Sequence, residues 1–168
     1  AAKYGDRFEK IVAANTGLPT GKAPLSEGFA VFREFLQIKP DLHVAGQVRN
    51  GTTKGIDENA LAAYNAPFPD DDHKQGVRQF PNLVPGTPRT PSAEPNKEAW
   101  KILREWKKPF LCAFSDKDPI FSGVENSFYK LIPGCKDMPH VTIEDAGHFL
   151  QEDQPEACVD AILSIKDI

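Results

Sequence analysis

The chain has 168 residues, of which 40% are hydrophobic and 26% are charged, proportions that are ordinary for a soluble globular domain. Its net charge is −4 with both signs interspersed, so we expect no nucleic-acid partner. We expect no membrane partner either, because no stretch approaches the roughly 20 apolar residues of a membrane span and the first residues lack the apolar segment of a signal peptide.

Three short apolar runs bounded by turn-forming residues predict β-strands: KIVAAN at 10–15, PFLCAFS at 109–115 and HVTIED at 140–145. The first two runs are continuously apolar, which is typical of parallel strands that are covered on both faces. The third run alternates between apolar and polar residues, so we expect it nearer an edge of the sheet.

Apolar residues at helical spacing predict three helices in the second half of the chain, over 96–106, 124–132 and 155–168. In the last of these helices Pro155 falls in the first turn, and three apolar residues are expected to form its buried stripe: Val159, Ile162 and Leu163. The alternation of strands with helices is that of an open α/β sheet.

The stretch from 20 to 95 interrupts this alternation. Its helical candidates lie at 27–37, 57–65 and 71–80, and seven of the fifteen prolines fall between Pro67 and Pro95. A strand-to-helix connection usually has about 2–6 residues, so this stretch is far too long for one. It predicts an inserted helical subdomain that is rejoined to the sheet by a proline-rich segment.

The domain organisation follows from these elements. Residues 1–19 carry the strand before the insertion, residues 20–95 form the insertion, and residues 96–168 carry the last two strands and their helices. Because three strands alone make a poor parallel sheet, we interpret the chain as the C-terminal part of a larger α/β domain.

The cysteines and histidines give no metal or disulfide pattern. Cys112, Cys135 and Cys158 form an odd set without Cys-x-x-Cys spacing, which favours free thiols in a reducing compartment and hence a cytoplasmic protein. The four histidines lack the spacing of paired metal ligands. We therefore expect no bound metal.

Acidic residues and a histidine follow two neighbouring strands of the predicted sheet. Asp116 and Asp118 come directly after the strand at 109–115, and His148 comes after the strand at 140–145. The carboxyl ends of parallel strands share one edge, where open α/β sheets bind their ligands. A carboxylate there would accept the imidazole N–H and stabilise the imidazolium that forms when the other ring nitrogen takes a proton. The alternative is that neither group is catalytic: His148 would be an ordinary loop residue, and Asp-x-Asp-Pro would form a turn.

The residues are similar to those of one enzyme family nearly from end to end. The matching segments are RFEKIVAANTGLPTG, GFAVFREF, AAYNAPFPDDDHKQGVRQFP, LVP, KPFLCAFSDKDPI and PHVTIEDAGHFLQED. Asp-x-Asp-Pro followed by Gly-His is common to most α/β-hydrolases. Three other segments are much more specific to one family: ANTGLPTG, AAYNAPFPD and GVRQFP. The chain resembles the C-terminal part of an α/β-hydrolase with an inserted helical cap, specifically the haloalkane dehalogenases.

This resemblance implies a two-step displacement that uses neither a metal nor an organic cofactor. An aspartate attacks the carbon that bears the halogen, and a histidine then activates the water that hydrolyses the alkyl ester. By motif, His148 is the base and Asp118 is its acid partner, with Asp116 as the alternative. In the matching subgroup the acid follows the penultimate strand, which agrees with the absence of any Asp or Glu beside Asn15. The implied partners are a small apolar halogenated substrate, water and halide, and the implied full-length state is a monomer.

Two family elements are missing from the 168 residues. The nucleophile elbow, typically Asp-Trp-Gly-Gly, and the His-Gly segment of the oxyanion or halide site do not occur, so we expect the nucleophile upstream of Ala1 and an inactive chain. Phe32 stands where the cap of the subgroup supplies a tryptophan whose indole N–H holds the halide. The lost hydrogen bond to a charged group would cost roughly 1.5–3 kcal/mol. Trp100 and Trp106 are poor substitutes, because their helical spacing predicts core positions.

Several apolar residues match or neighbour positions that line the pocket of the family, although each is also an ordinary core residue: Phe29, Phe32, Phe80, Val84, Ile120, Phe121 and Phe149. The rival enzymatic functions are those of other capped hydrolases that act on epoxides, esters or β-lactones. The insertion has only Tyr64 as a tyrosine, which counts against an epoxide hydrolase. A pseudoenzyme that binds an apolar ligand is the non-enzymatic alternative.

Overall fold

The computed structural model describes residues 1–166 and contains a parallel sheet. Its strands are β1 (Ile11–Ala14), β2 (Phe110–Ser115) and β3 (Val141–Ile143), in the order β1-β2-β3. Ala13 lies opposite Cys112 in the first ladder, and Ala113 lies opposite Val141 in the second. All three predicted strands are confirmed, each one to three residues shorter than its apolar run.

The strands differ in burial because of their places in the sheet. All six residues of β2 are buried, as the continuous apolar run predicts. In β1 only Ala13 is buried, so the expectation that this strand is covered on both faces is wrong. The reason is that β1 pairs only with β2 within residues 1–166, and its second edge and parts of its faces are left uncovered.

Helices cover both faces of the sheet. They are α5 (Ala93–Leu103), α6 (Glu125–Leu131), α7 (Leu150–Asp153) and α8 (Pro155–Leu163). One buried cluster joins Trp106 and Phe128 to the β2 side chains Phe110, Cys112 and Phe114. A second cluster on the other face joins Leu111 and Ala113 of β2 to residues that include Ile143, Leu150, Ala161 and Ile165. Alternate residues of β2 thus supply both cores.

The buried face of α8 differs from the predicted one. Val159, Ile162 and Leu163 are 52–55% exposed, whereas Ala161 and Ile165 are each 3% exposed. Ala157 and Cys158 pack against the same cluster as Ala161 and Ile165. Because three of these residues have small side chains, α8 can lie close to the sheet, while Val159, Ile162 and Leu163 are left more than half exposed.

The chain divides into two compact units. The first comprises Ala1–Leu18, Thr52–Lys54 and the chain from Lys97 onward, and the second comprises Pro19–Gly51 and Gly55–Asn96. The predicted insertion thus falls largely in the second unit, with the exception of Thr52–Lys54. Its exact bounds stay a prediction.

The second unit is helical. It contains α1 (Glu27–Ile38), α2 (Val44–Asn50), α3 (Glu58–Asn65) and α4 (Gln75–Gln79). Ser26 caps α1 through Phe29 N–H, and Asp57 caps α3 through two backbone N–H groups. Helix α2 was not predicted because it is short and contains a glycine. The stretch predicted at 71–80 consists of a 3₁₀ turn followed by α4.

None of the helices described within residues 1–166 combines the length and the apolar character of a membrane span.

Candidate active site

His148 and Asp118 are hydrogen-bonded at the carboxyl edge of the sheet. Asp118 lies in the loop after β2 and His148 in the loop after β3, and the two strands are hydrogen-bonded neighbours. The Nδ1 atom of His148 is 3.1 Å from Oδ2 of Asp118. The Asp118 side chain is 1% exposed and the His148 side chain 27% exposed. A buried acid therefore holds a ring that still reaches the surface of the unit.

The contact decides which ring nitrogen carries the proton. A carboxylate oxygen accepts hydrogen bonds, so Nδ1 of His148 is the donor, and in the neutral imidazole Nε2 then carries the lone pair. The second oxygen of Asp118 accepts from Ile120 N–H at 2.8 Å, which fixes the carboxylate plane. This arrangement can accept a proton at Nε2 and stabilise the resulting imidazolium.

Asp116, the alternative acid, faces a different group. Its Oδ1 accepts from the backbone N–H of Ala146 at 3.2 Å, and its own N–H donates to the carbonyl of Ile143. Asp116 thus ties the end of β2 to the turn that follows β3. Of the two candidate acids, Asp118 is the one bonded to His148, and the catalytic role of each stays a prediction.

Asn15 and Ser115 hold the backbone of the histidine loop. The side-chain amide of Asn15 donates to the carbonyls of Gly147 and His148 at 2.9 and 3.0 Å and to Oγ of Ser115 at 2.7 Å. Ser115 Oγ donates in turn to Gly147 C=O at 2.8 Å, and Ser115 N–H donates to Oδ1 of Asn15 at 2.9 Å. Both side chains are buried, so these hydrogen bonds are protected from water.

The backbone of Asn15 has a conformation that few other residues adopt. Its φ is +34°, in the left-handed region that asparagine tolerates better than most residues. The chain turns out of β1 there, and the side chain reaches the last residue of β2 and the loop that follows β3. Sequence reasoning used Asn15 only to note the absence of an acid and did not single out Ser115. The sequence pattern that could have identified Asn15 and Ser115 is a polar residue at the end of an apolar strand.

Asp153 holds the same loop from another side. Its Oδ2 accepts from Gly147 N–H at 2.8 Å, and the carboxylate also accepts from the N–H groups of Thr53 and Lys54 at 2.9–3.0 Å. The residue is 3% exposed. Although burial alone raises the pKa of this carboxyl, the hydrogen bonds from Gly147, Lys54 and Thr53 hold the pKa below its ordinary value. Sequence reasoning missed Asp153, which reads as an ordinary acidic residue of a helix.

Two of the predicted pocket residues flank the His148 ring. Phe121 stacks on it with ring centroids 5.7 Å apart and an interplanar angle of 24°, and Phe149 meets it edge-on at 5.0 Å. A cavity of about 310 Å³ opens beside the histidine within the first unit, and its lining comprises Val12, Ala14, Asn15, Ala113, His148, Phe149, Leu150, Gln151, Cys158 and Ile162. The surroundings of the base are therefore largely apolar.

The other predicted pocket residues are distributed between the two units. Ile120 lies in the first unit, where its N–H binds Asp118. Phe29 and Phe32 pack together on α1 with centroids 6.4 Å apart. Phe80 is 72% exposed and Val84 is partly buried, both in the second unit. Their assignment to a substrate pocket stays a prediction.

Within residues 1–166, no cluster of three or more His, Cys, Asp or Glu side chains has the arrangement of a metal site. The three cysteines are free thiols, of which Cys112 and Cys135 are buried.

Comparison with known proteins gives relatives that match almost the whole chain, although no family model matches. The chain is 48% identical over 155 residues to a haloalkane dehalogenase of Psychrobacter cryohalolentis, which covers 92% of this chain and 51% of that protein. It is 40% identical over 166 residues to haloalkane dehalogenase 1 of Mycobacterium tuberculosis, with 98% and 54% covered. The chain thus spans about half the length of the curated relatives it matches.

Solved structures agree with the sequence matches. The haloalkane dehalogenase DpaA from Paraglaciecola agarilytica, described as tetrameric, superimposes with a TM-score of 0.86 at 29% identity, over 99% of this chain and 55% of that one. The dehalogenase DbeA from Bradyrhizobium elkani shares the fold with a TM-score of 0.75 at 19% identity, over 98% and 62%. The predicted α/β-hydrolase fold is confirmed, and over about half of their length the chain is similar to haloalkane dehalogenases.

Proposed function

We propose that the chain supplies the base, the acid and the pocket of an enzyme that hydrolyses small haloalkanes to alcohol and halide. The observation that carries this proposal is the hydrogen bond between His148 and Asp118, 3.1 Å long and flanked by Phe121 and Phe149. The 48% identity to a protein named haloalkane dehalogenase supports the choice of substrate. Neither a metal nor an organic cofactor takes part in the proposed reaction.

The reaction has two steps. In the first, a carboxylate from outside these 168 residues attacks the carbon that bears the halogen, and the carbon–halogen bond breaks as its electron pair leaves with the halide. In the second, Nε2 of His148 takes a proton from water as the water oxygen attacks the ester carbonyl. The alcohol leaves with a proton, and the carboxylate is regenerated. Throughout, Asp118 accepts the hydrogen bond from Nδ1–H of His148 and stabilises the imidazolium, while the proton stays on the ring.

The apolar surroundings of His148 suit this chemistry. Phe121 stacks on the ring and Phe149 meets it edge-on, so apolar side chains shield part of the ring from water and the charges that form interact in a medium of lower polarity. The partners in this proposal are a small halogenated alkane, one water molecule and the released halide. The full-length protein is proposed to be a cytoplasmic monomer, which a size measurement separates from the tetramer described for DpaA.

A chimera tests the function. The chain would replace the matching part of the Psychrobacter relative, so that the relative supplies its other half. Halide release from a terminally halogenated alkane is the measurement. We expect release by the chimera and its loss, by at least about a thousandfold, in the His148→Ala variant of the chimera. A chimera that folds and binds no haloalkane would contradict the proposal.

The alternative functions predict different results for the same chimera. Hydrolysis of an ester or a β-lactone without halide release would favour an esterase-type enzyme, and opening of an epoxide would favour an epoxide hydrolase. Binding of an apolar ligand without turnover would favour a pseudoenzyme. The 168-residue chain assayed alone is expected to release no halide, because the attacking carboxylate of the family motif is not among its residues.

A further inference from the structure

The Asp153 carboxylate connects the histidine loop to a segment almost one hundred residues earlier in the chain. On one side it accepts from Gly147 N–H at 2.8 Å, one residue before His148. On the other side it accepts from the N–H groups of Thr53 and Lys54. All of these residues belong to the first compact unit. The carboxylate is thus a bridge between two backbone segments.

Further contacts keep this bridge in place. The Nζ atom of Lys54 donates to the backbone carbonyl of Asp153 at 2.8 Å, and Oγ1 of Thr53 donates to the carbonyl of Asp145 at 2.8 Å. A carboxylate that is 3% exposed would be costly without such donors, because burial removes its hydration. The same donors lower the pKa of Asp153, so the group is ionised at neutral pH.

The peptide groups on both sides of Gly147 are held by side chains. Its N–H is bound by Asp153, and its C=O is bound by Asn15 and Ser115. The next residue is His148, whose own carbonyl is bound by Asn15. The backbone from which the histidine ring extends therefore has little freedom, and the ring itself lies between Phe121 and Phe149.

We propose that Asp153 is a positioning residue for His148: by holding the Gly147 peptide, it places the imidazole where Nδ1 meets Asp118. This inference rests on the proposed function in one respect, that His148 is the base. Asp153 does not touch the reacting atoms and acts only through the backbone. A purely structural role would instead stabilise the unit and leave the bond between His148 and Asp118 unchanged when the carboxylate is altered.

The test uses the Asp153→Asn variant of the 168-residue chain. Asparagine has the same shape, and the orientation that loses fewer hydrogen bonds keeps its oxygen at the N–H groups of Thr53 and Lys54 and turns its NH₂ group toward Gly147 N–H, which loses its acceptor. The measurements are the NMR signal of the His148 Nδ1 proton and the hydrogen-exchange rate of the Gly147 amide. We expect the Nδ1 signal to be lost or strongly shifted, and Gly147 exchange to become about tenfold faster or more.

Asp57→Asn is the matched control. Asp57 also accepts from two backbone N–H groups, at 2.8 and 2.9 Å, as the cap of α3 in the second unit. The same change of atoms there is expected to leave both His148 and Gly147 signals as they are. Asp153→Glu keeps the charge but moves it by one methylene, so we expect a partial return of the His148 signal. It also takes the place of Asp153→Asn if the latter does not fold.

The outcomes separate this inference from the proposed function. A folded Asp153 variant with an unchanged His148 Nδ1 signal overturns the positioning role, even if Gly147 exchanges faster. Absence of the Nδ1 signal in the unaltered chain would instead show that the pair of His148 and Asp118 is not formed, which counts against the proposed function. The experiment needs no turnover and so does not depend on the substrate.

Discussion

Asn15 and Ser115 are one hundred residues apart in the chain and exchange two hydrogen bonds at the carboxyl ends of β1 and β2. Each side chain also binds the carbonyl of Gly147, so the pair joins the ends of β1 and β2 to the histidine loop, which follows β3. The loop that carries the base is therefore supported from the ends of β1 and β2, and β1 contributes no candidate catalytic group.

The first prediction concerns the amide of Asn15. In Asn15→Asp a carboxylate oxygen replaces the NH₂ group and faces the carbonyls of Gly147 and His148, and aspartate tolerates a positive φ much as asparagine does. We expect a loss of about 2 kcal/mol or more in the free energy of unfolding, measured with urea. Asn126→Asp, at an exposed amide that donates to Gly123 C=O, should change the free energy of unfolding by less than about 0.5 kcal/mol. Equal effects of the two substitutions would contradict the buried network.

The second prediction distinguishes the two candidate acids. In Asp118→Asn, Nδ1 of His148 faces either an amide oxygen or an NH₂ group. The substitution also removes the negative charge of Asp118, which favours a proton on Nδ1. We expect ring-nitrogen NMR shifts to show a changed tautomer in Asp118→Asn and an unchanged one in Asp116→Asn, since Asp116 binds Ala146 instead. In the chimera, Asp118→Asn should lower halide release by about 10³-fold or more. A larger loss for Asp116→Asn would reverse the assignment.

The third prediction concerns pH and His140. Its Nδ1 accepts from Cys112 N–H at 3.0 Å, so its Nε2 must be the atom that donates to Cys135 C=O at 2.9 Å. Burial lowers the pKa of His140, with the hydrogen bond to Cys135 acting the other way. The unfolded chain therefore binds this proton at a higher pH than the folded chain, near the ordinary histidine pKa of about 6.5, and stability falls as pH drops through that value.

His140→Asn checks this sign. The asparagine oxygen can replace Nδ1 as the acceptor for Cys112 N–H, but it does not titrate. We expect the urea midpoint of the unaltered chain to fall between pH 7.5 and 5.5 by more than that of His140→Asn. The exposed His73 serves as the control, and His73→Asn should keep the pH dependence of the unaltered chain. Identical pH profiles of His140→Asn and the unaltered chain would rule out the effect.

The fourth prediction tests the position of Phe32, where the family resemblance implies a tryptophan that holds the halide. In the chimera, Phe32→Trp restores the indole N–H that the resemblance implies. We expect about tenfold tighter inhibition by bromide, since a hydrogen bond to a charged group contributes about 1.5–3 kcal/mol. Phe35→Trp on the same helix, at a residue that is 37% exposed, should leave inhibition unchanged. The same gain in both variants would remove Phe32 from the proposed halide site.

The strands and the helices that follow them could be predicted from local sequence patterns alone. Continuous apolar runs and helical spacing depend on neighbours a few residues away, so they located all three strands and the helices that follow β2 and β3. The connection of parallel strands by helices then brings consecutive carboxyl ends to one edge, which is why Asp118 and His148 could be expected to meet. The family resemblance supplied a reason to prefer Asp118 over Asp116.

The support of the site depends on distances that no local pattern contains. Asn15 reaches Gly147 across 132 residues and Asp153 reaches Thr53 across 100, and each bond forms only because packing places a buried polar atom opposite a backbone group. The inward face of α8 was likewise set by how closely Ala161 approaches the sheet, not by which of its residues are largest. Hydrophobic periodicity marks the segments that can be buried, whereas shape and the pairing of buried polar groups select the contacts among them.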